Sequence, residues 1–217
     1  MTITIAHTKG GVGKSTIAWN LLLAHWYSSL GTVRVADLDF QQTLYITSKI
    51  RAELGDEMVD RLEVTTPKSQ AELASLYPRN VEDVLFIDIG GFDSKLNRQA
   101  MAMADLIIVP ISISLTEVFG FKTFEAILEE EGIDKSKIRI LFNNINPLVK
   151  NFSSIIEALG DDYKFFDTII HRRVDFVESI SQGLGVTHSK AKWKKASDEV
   201  MKLLQEVWDV EKSKKHQ

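Results

Sequence analysis

Cysteine is absent from this chain of 217 residues, and proline occurs only four times. Without cysteine there is no disulfide, no thiolate-bound zinc and no cysteine-held iron–sulfur cluster, which is compatible with a reducing compartment. No Pro/Gly-rich linker, repeat or low-complexity tract divides the sequence either. We therefore expect a single domain over residues 1–217, of which the last few, about 211–217, form a frayed tail.

Long apolar runs are also missing. The longest candidate, residues 106–115 (LIIVPISISL), is far shorter than the roughly 20 residues that a membrane-spanning helix needs. The first residues lack the basic and apolar regions of a signal peptide. We therefore expect a cytoplasmic protein without a membrane partner.

A net positive charge is also missing: the formal net charge is −4, which argues against a protein coated in basic residues. The distribution is uneven, however: residues 164–217 carry a net +3 and the remainder −7. Basic side chains cluster in residues 171–173 (HRR) and 188–195 (HSKAKWKK). Both a solvated helix face and a contact with an anionic partner are compatible with such clusters.

What the sequence does have is an alternation of short β-branched runs with longer amphipathic stretches. The runs predicted as strands are residues 2–6, 33–37, 83–89, 105–111 and 137–144, with a further short strand around 167–170. The stretches predicted as helices are residues 15–30, 121–131, 153–159, 174–182 and 196–208. This order predicts an α/β fold: a doubly wound, mostly parallel sheet flanked by helices, with ligands at the carboxyl ends of the strands.

A glycine-rich segment, residues 9–15 (KGGVGKS), links the first predicted strand to the first predicted helix. Its glycines let backbone N–H groups converge on phosphate oxygens, and the helix that follows adds its positive N-terminal end. Lys14 supplies a charge to the outer phosphates, and the Ser15 hydroxyl is placed to ligate magnesium. A turn that merely joins strand to helix is the simpler interpretation, but the loop, lysine, hydroxyl and flanking elements all match a phosphate-binding loop. The predicted nucleotide-binding residues here are Lys9, Gly10, Gly11, Val12, Gly13, Lys14, Ser15 and Thr16.

Lys9 raises a separate question, because it is a second lysine at the mouth of the same loop. The loop wraps its own nucleotide with backbone amides, so a side chain at the entrance cannot easily add an inward clamp. The side chain could instead point outward, toward a nucleotide held by another subunit. A solvent-exposed lysine without such a role is the alternative.

Acidic side chains follow two of the predicted strands. Asp37 and Asp39 lie at the end of the second, where one carboxylate could organise Mg²⁺ and the other could orient an attacking water at the γ-phosphate. Asp88 ends the third strand, VLFIDI, in the arrangement of a Walker B aspartate that holds Mg²⁺. Gly90 and Gly91 follow at once, and they could bring a backbone N–H close to the γ-phosphate.

The strand LFNNINP supplies a candidate for base recognition. The amide of Asn143 could read the donor and acceptor edge of adenine. The pattern Asn-Lys-x-Asp that reads guanine is absent here, so ATP is favoured over GTP. A turn rich in Asn and Pro is the alternative interpretation.

Taken together, KGGVGKST, ADLDFQ, FIDIGGFDS…NRQAMAMADLIIVPIS, LFNNINP and TIIHRRVDFVESISQGLGV resemble the ParA/MinD family of deviant-Walker ATPases, and most of all its small plasmid-type ParA members. The resemblance implies a P-loop NTPase fold of the deviant Walker A type. It implies that Lys9 crosses an ATP-sandwiched homodimer to the partner's phosphates and that Asp39 orients the attacking water, so that Lys9, Lys14 and Asp39 are the catalytic residues. It implies that Ser15, Asp37 and Asp88 serve the metal, and that Asn143 contacts adenine.

The resemblance also implies a function. A ParA-like ATPase would use ATP and Mg²⁺ to dimerise, bind DNA non-specifically and position a plasmid, a chromosome region or another cargo. A centromere-binding or cargo-adaptor protein would stimulate hydrolysis, and DNA binding would make the protein nucleoid-associated. The candidate DNA contacts are Arg172, Arg173, Lys190, Lys192, Lys194 and Lys195.

Two alternatives stay open on the same scaffold. A MinD-like ATPase would bind membranes through a C-terminal amphipathic helix, but the polar side of residues 196–208 is acidic. A small-molecule ATP-dependent enzyme is the other. The chain also departs from the family pattern: Phe40 replaces the proline after the second acidic residue of the Asp37 strand, and Ile113 and Glu117 replace a later proline and aspartate.

Overall fold

A parallel β-sheet forms the centre of the computed structural model, which describes residues 1–28, 32–54 and 62–215. Its strands are β1 (Thr2–Ile5), β2 (Val33–Leu38), β3 (Glu63–Thr65), β4 (Val84–Ile89), β5 (Leu106–Ile111), β6 (Ile138–Ile145), β7 (Lys164–Phe165) and β8 (Ile170–His171). They are arranged in the order β3-β2-β4-β1-β5-β6-β7. Strand β8 also pairs with β6, nearer to its carboxyl end than β7 does. Every strand pair among the described residues is parallel, so all carboxyl ends lie at one edge.

Helices cover both faces of this sheet. They are α1 (Lys14–Ser28), α2 (Thr43–Ala52), α3 (Gln70–Ser75), α4 (Lys95–Ala102), α5 (Leu115–Glu130), α6 (Ser153–Leu159), α7 (Val174–Ser181) and α8 (Lys194–Lys215). One apolar core lies under α1, α2, α7 and α8, and a second lies under α3, α4, α5 and α6. Along β5, Ile108 enters the first core while Ile107 and Val109 enter the second. The near-continuous apolar strands therefore reflect burial on two sides, and the predicted fold class is confirmed.

Several element boundaries differ from the predictions. Helix α6 begins and ends as predicted, whereas α5 begins at Leu115, six residues before the predicted start. Helix α8 begins two residues early and continues to Lys215, seven residues past its predicted end. The predicted end of the first helix, residues 29–30, lies outside the described residues.

Some elements are not predicted from the sequence at all: α2, α3, α4, β3 and β7. Each is short or lacks a clear apolar period, and local capping defines two of the helices. Ser69 Oγ accepts from Glu72 N at the start of α3, and Ser94 Oγ accepts from Asn97 N at the start of α4. These caps satisfy N–H groups that a helix terminus otherwise leaves unpaired.

No helix in the described part of the chain is long and apolar enough to cross a membrane.

Candidate functional site

The glycine-rich segment lies at the carboxyl edge of the sheet, between β1 and α1, as predicted. Gly10 and Gly11 are exposed. Gly13 has a φ of 89°, a backbone conformation that residues with a side chain rarely adopt. A Cβ at Gly13 would also lie 2.3 Å from the Asn143 amide nitrogen, so only glycine fits there. Ser15 and Thr16 follow in the first turn of α1, half-buried.

Lys14 folds back into the loop that precedes it. Its Nζ donates to the Lys9 carbonyl at 3.1 Å, and the side chain is buried. Burial lowers the pKa of Lys14, against the opposing charges of Asp88 and Asp39. The ammonium therefore lies between the loop backbone and the acidic strand ends, where it can serve phosphates bound to its own loop.

Asn143, at the end of β6, braces the same loop. Its Nδ2 donates to the Val12 carbonyl at 2.7 Å, and the side chain is buried beside Gly13. The structure thus uses one face of this amide to hold the loop, a role that the sequence does not indicate. Adenine recognition by Asn143 stays a prediction.

Asp37 and Asp88 are brought together by the sheet, because they are paired in register on β2 and β4. Asp88 is fully buried, and neither of its carboxylate oxygens has a hydrogen-bond partner of ordinary geometry in the described part of the chain. Burial raises the pKa of Asp88 to about 8, although the Ser15 hydroxyl is close enough to lower it in part. A buried carboxylate without partners is a costly arrangement unless a cation completes it.

The two carboxylates at the end of β2 have different surroundings. Asp37 is buried, and its two oxygens accept from Asp39 N at 3.1 Å and Tyr45 N at 3.0 Å. The bond to Tyr45 satisfies an N–H in the first turn of α2, so Asp37 fixes the turn between strand and helix. Asp39 is half-buried, and its Oδ1 accepts from Gln41 N at 2.9 Å.

Lys9 faces away from the loop. Its Nζ donates to Thr116 Oγ1 at 2.9 Å and lies 3.6 Å from Glu117 Oε1, both in the first turn of α5. The side chain remains about one-third exposed. The two lysines of one loop therefore point to different places, Lys14 inward and Lys9 outward along α5.

The candidate DNA contacts do not share one environment. Arg173 Nη2 donates to Glu199 Oε1 at 2.6 Å, and the same carboxylate contacts His171, so Glu199 of α8 is bound to β8 and to the residue before α7. Lys192 Nζ lies 3.5 Å from Glu178 and Lys190 Nζ 3.8 Å from Asp198. The exposed members of the set are Arg172, Lys190, Lys192, Lys194 and Lys195.

Comparison with known proteins identifies this arrangement. The profile of the family described as the CobQ/CobB/MinD/ParA nucleotide binding domain matches residues 3–186. The chain belongs to this family. Among curated proteins, it is 26% identical over 214 residues to "Maintenance of carboxysome distribution protein A" of Halothiobacillus neapolitanus, covering 95% of each chain.

Solved structures of the same fold agree with the family assignment. MinD of Aquifex aeolicus matches with a TM-score of 0.75 at 16% identity, covering 96% of this chain and 97% of that one. A putative plasmid partition protein of Borrelia burgdorferi bound to AMPPNP matches with a TM-score of 0.68 at 19% identity, covering 94% and 98%. At these identities the likeness establishes the ParA/MinD fold alone.

The residues present fit a magnesium ion that would accompany a nucleotide in a family member. Asp88 offers two buried carboxylate oxygens, and the half-buried Ser15 hydroxyl is close by. Carboxylate and hydroxyl oxygens are ligands that Mg²⁺ accepts, usually with nucleotide phosphates and waters completing its shell. Asp37 lies beside them, but its oxygens already hold backbone N–H groups, so its metal role stays a prediction.

Three further residues at this site are not predicted from the sequence. His7 is fully buried, its Nδ1 accepts from Lys9 N at 2.9 Å, and burial lowers its pKa to about 4. Asn97 contacts the segment after Asp88, and Thr116 contacts Lys9. The sequence could have indicated His7, because it is a polar residue directly after a predicted apolar strand. The contacts of Asn97 and Thr116 depend on tertiary structure.

Proposed function

We propose that this chain is a ParA-like ATPase that positions a cargo such as a plasmid, a chromosome region or a protein assembly. ATP would hold two copies face to face, and hydrolysis, stimulated by an adaptor protein on the cargo, would separate them. One observation carries the proposal. The Lys14 side chain folds into its own loop, whereas the Lys9 side chain leaves the loop and contacts the start of α5. Two lysines at one phosphate loop have separate uses if Lys9 serves the nucleotide of the partner subunit.

The relatives support a positioning role. One is named for carboxysome distribution and matches over 95% of both chains, and one is called a putative plasmid partition protein. The cargo differs between the two names, but both names describe the distribution of a cargo. Cargo-positioning is therefore the shared activity that we assign to this chain.

Each residue of the site has a role in the proposed reaction. The N–H groups of residues 10–15 and the Lys14 ammonium bind the phosphates. Ser15 and Asp88 would hold Mg²⁺, which neutralises phosphate charge when bound. Asp39, half-buried at the end of β2, orients the attacking water, and Lys9 adds positive charge from the other subunit.

The surface around Lys9 supports a second copy as the partner. Three phenylalanines are exposed at this edge of the sheet: Phe40 by 84%, Phe119 by 73% and Phe92 by 57%. Phe40 follows β2, Phe92 follows β4 and Phe119 lies in the first turns of α5, so they belong to the elements that hold Asp39, Asp88 and Lys9. Exposed aromatics beside a functional site are typical of an interface.

DNA is the second proposed partner. The exposed cations Arg172, Lys190, Lys192, Lys194 and Lys195 can reach phosphates, and a dimer would double this patch despite the negative net charge. Arg173 is engaged by Glu199, so we assign it to the fold rather than to DNA.

Fluorescence anisotropy with a random-sequence duplex tests this assignment. With ATP, the wild type should bind, and binding should weaken steeply as salt rises because counterions are released. Arg172→Ala should weaken binding without changing thermal stability, whereas Arg173→Ala should lower the melting temperature. Binding that ignores salt, or that does not depend on ATP, would contradict the proposal.

Helix α8 packs in the core, which argues against its use as a membrane-binding helix. Its apolar residues Leu203, Leu204 and Val207 are buried in the core, so they have no free face to insert into a lipid surface. A liposome flotation assay with ATP should leave the protein in the unbound fraction.

A further inference from the structure

The segment after Asp88 lies directly against the phosphate loop. Gly91 is so close to it that a Cβ there would be 2.7 Å from the Thr8 carbonyl oxygen and 3.5 Å from Gly10 N. A side chain at this position would therefore collide with backbone. The segment that follows the Walker B aspartate thus packs on the entrance of the loop, where the outer phosphates of a bound nucleotide would face it.

Asn97 holds this segment from the other side. It is the third residue of α4, it is buried, and its Nδ2 donates to Phe92 O at 2.8 Å and to Gly90 O at 3.4 Å. Its own backbone N–H is capped by Ser94 Oγ at 3.0 Å. One amide on a capped helix turn therefore clamps the carbonyls on both sides of Gly91.

The clamp fixes the direction of a backbone donor. All peptide bonds of the described chain are trans, so the N–H of Gly91 points opposite to the carbonyl of Gly90. That carbonyl points to Asn97, and the Gly91 N–H therefore points away from α4. Gly91 itself packs on Thr8 and Gly10, so this donor lies next to the phosphate loop.

We propose that Asn97 is a positioning residue that aims the Gly91 N–H at the γ-phosphate of a nucleotide bound in the loop. This inference rests on the proposed function and deepens it. Asn97 touches neither nucleotide nor metal; it acts through the peptide between Gly90 and Gly91. Because ADP has no γ-phosphate, the contribution of Asn97 should appear in ATP binding and not in ADP binding.

The test compares Asn97→Asp with Gln99→Glu. Aspartate at the third position of α4 suits the positive end of the helix, whereas its carboxylate repels the two carbonyls that the amide holds. Gln99 undergoes the same chemical change two residues away; its Nε2 donates to Gln70 O at 3.0 Å, remote from the loop. Thermal melting without nucleotide confirms that each variant is folded.

Titration calorimetry with Mg²⁺ and either AMPPNP or ADP is the readout, at protein concentrations at which light scattering shows monomers. Asn97→Asp should weaken AMPPNP binding by about tenfold, the loss of one hydrogen bond to a charged group, with ADP binding changed less than about twofold. Asn97→Ala, which removes the amide without adding a charge, should reproduce this selective loss. Gln99→Glu should match the wild type for both nucleotides.

Equal loss of both nucleotides in Asn97→Asp and Asn97→Ala, or no loss of either, would overturn the inference. The wild type tests the proposed function separately. If it dimerises with ATP while the ratio of AMPPNP to ADP affinity is unchanged by Asn97→Asp, only the role of Asn97 fails. If the wild type binds neither nucleotide, the proposed function fails with it.

Discussion

Lys9 and Lys14 are five residues apart, yet the structure gives them different surroundings. Lys14 is buried and donates to the loop backbone, whereas Lys9 is partly exposed and lies on Thr116 and Glu117. A buried cation inside a phosphate loop contributes to binding the nucleotide of its own chain. A cation outside the loop contributes only when another phosphate group approaches it.

Substitution of each lysine by alanine should therefore separate binding from hydrolysis. We expect Lys14→Ala to lose most nucleotide affinity, because it removes the charge next to the phosphates. We expect Lys9→Ala to retain nucleotide binding within a few-fold while hydrolysis falls by about 10²-fold or more, as for other removed transition-state cations. Calorimetry and phosphate release measure the two effects. Equal nucleotide affinities in the two variants would contradict the division of roles.

The buried side chain of His25 should make the folding stability depend on pH. His25 is buried, its Nδ1 accepts from Trp208 Nε1 at 3.1 Å, and burial lowers its pKa from 6.5 to about 4. The folded protein therefore binds fewer protons than the unfolded chain between these values. The stability that neutral His25 contributes is present above pH 6.5 and is lost as pH falls toward 4.

His25→Gln keeps a hydrogen-bond acceptor and removes the titration. The free energy of unfolding, measured with urea, should fall between pH 7.5 and pH 5 in both proteins. The fall should be smaller in the variant, and the difference between the two falls should be roughly 2 kcal/mol. The variant Gln205→Ala, on an exposed part of α8, serves as a control with the wild-type pH dependence. Parallel pH profiles for His25→Gln and the wild type would refute the assignment.

At the scale of single residues, the sequence predicts the phosphate loop and the acidic strand ends, because each pattern is local. The brace from Asn143 to Val12 and the contact between Lys9 and Glu117 join positions more than 100 residues apart. Such contacts depend on which strands become neighbours. A strand-end asparagine and a helix-start glutamate do not reveal their partners in one sequence.

Helix α8 shows how a polar residue attaches an element to the rest of the fold. Glu206 accepts from Asp167 N at 2.7 Å and from Thr168 N at 2.9 Å, and it also accepts from the Thr168 hydroxyl. These donors belong to the segment between β7 and β8, which α8 crosses. The acidic side of α8 is therefore partly structural, which explains why it is not a basic membrane-binding face.

Glu206→Ala should cost about 2 kcal/mol of folding stability, because it leaves backbone donors without their charged acceptor. Gln205→Ala, one residue before on the exposed side, removes only a bond to Asp209 and should change stability by less than about 0.5 kcal/mol. Urea unfolding of both variants measures the difference. Equal midpoints would show that Glu206 does not hold the β7–β8 segment.

Element prediction succeeds where an apolar run coincides with burial on two sides, as in β1, β4 and β5. It fails for α2, whose sequence TLYITSKIRA is rich in β-branched and polar residues. That helix begins where Asp37 accepts the Tyr45 N–H, so a tertiary contact overrides a weak local propensity. Helix α4 is likewise defined by its Ser94 cap more than by any apolar period.

At the scale of the whole molecule, the exposed phenylalanines around Lys9 define the face that we assign to a second copy. Phe119→Ser should abolish or strongly weaken ATP-dependent dimerisation, since hydrophobic area at the centre of an interface contributes most to affinity. Leu148→Ser, at a residue 86% exposed in the loop between β6 and α6, is the matched control and should dimerise like the wild type. Analytical ultracentrifugation with AMPPNP compares them. Unimpaired dimers of Phe119→Ser would place the interface elsewhere.

We propose that ATP joins two copies of this chain through Lys9, and that Asp39 limits the lifetime of the pair. Size-exclusion chromatography with light scattering, with and without ATP and Mg²⁺, measures this most directly on the wild type and on Asp39→Ala. We predict monomers without nucleotide and a stable ATP-dependent dimer of Asp39→Ala, which retains Lys9 and Lys14 but cannot orient the attacking water. A monomer under every condition would contradict the account.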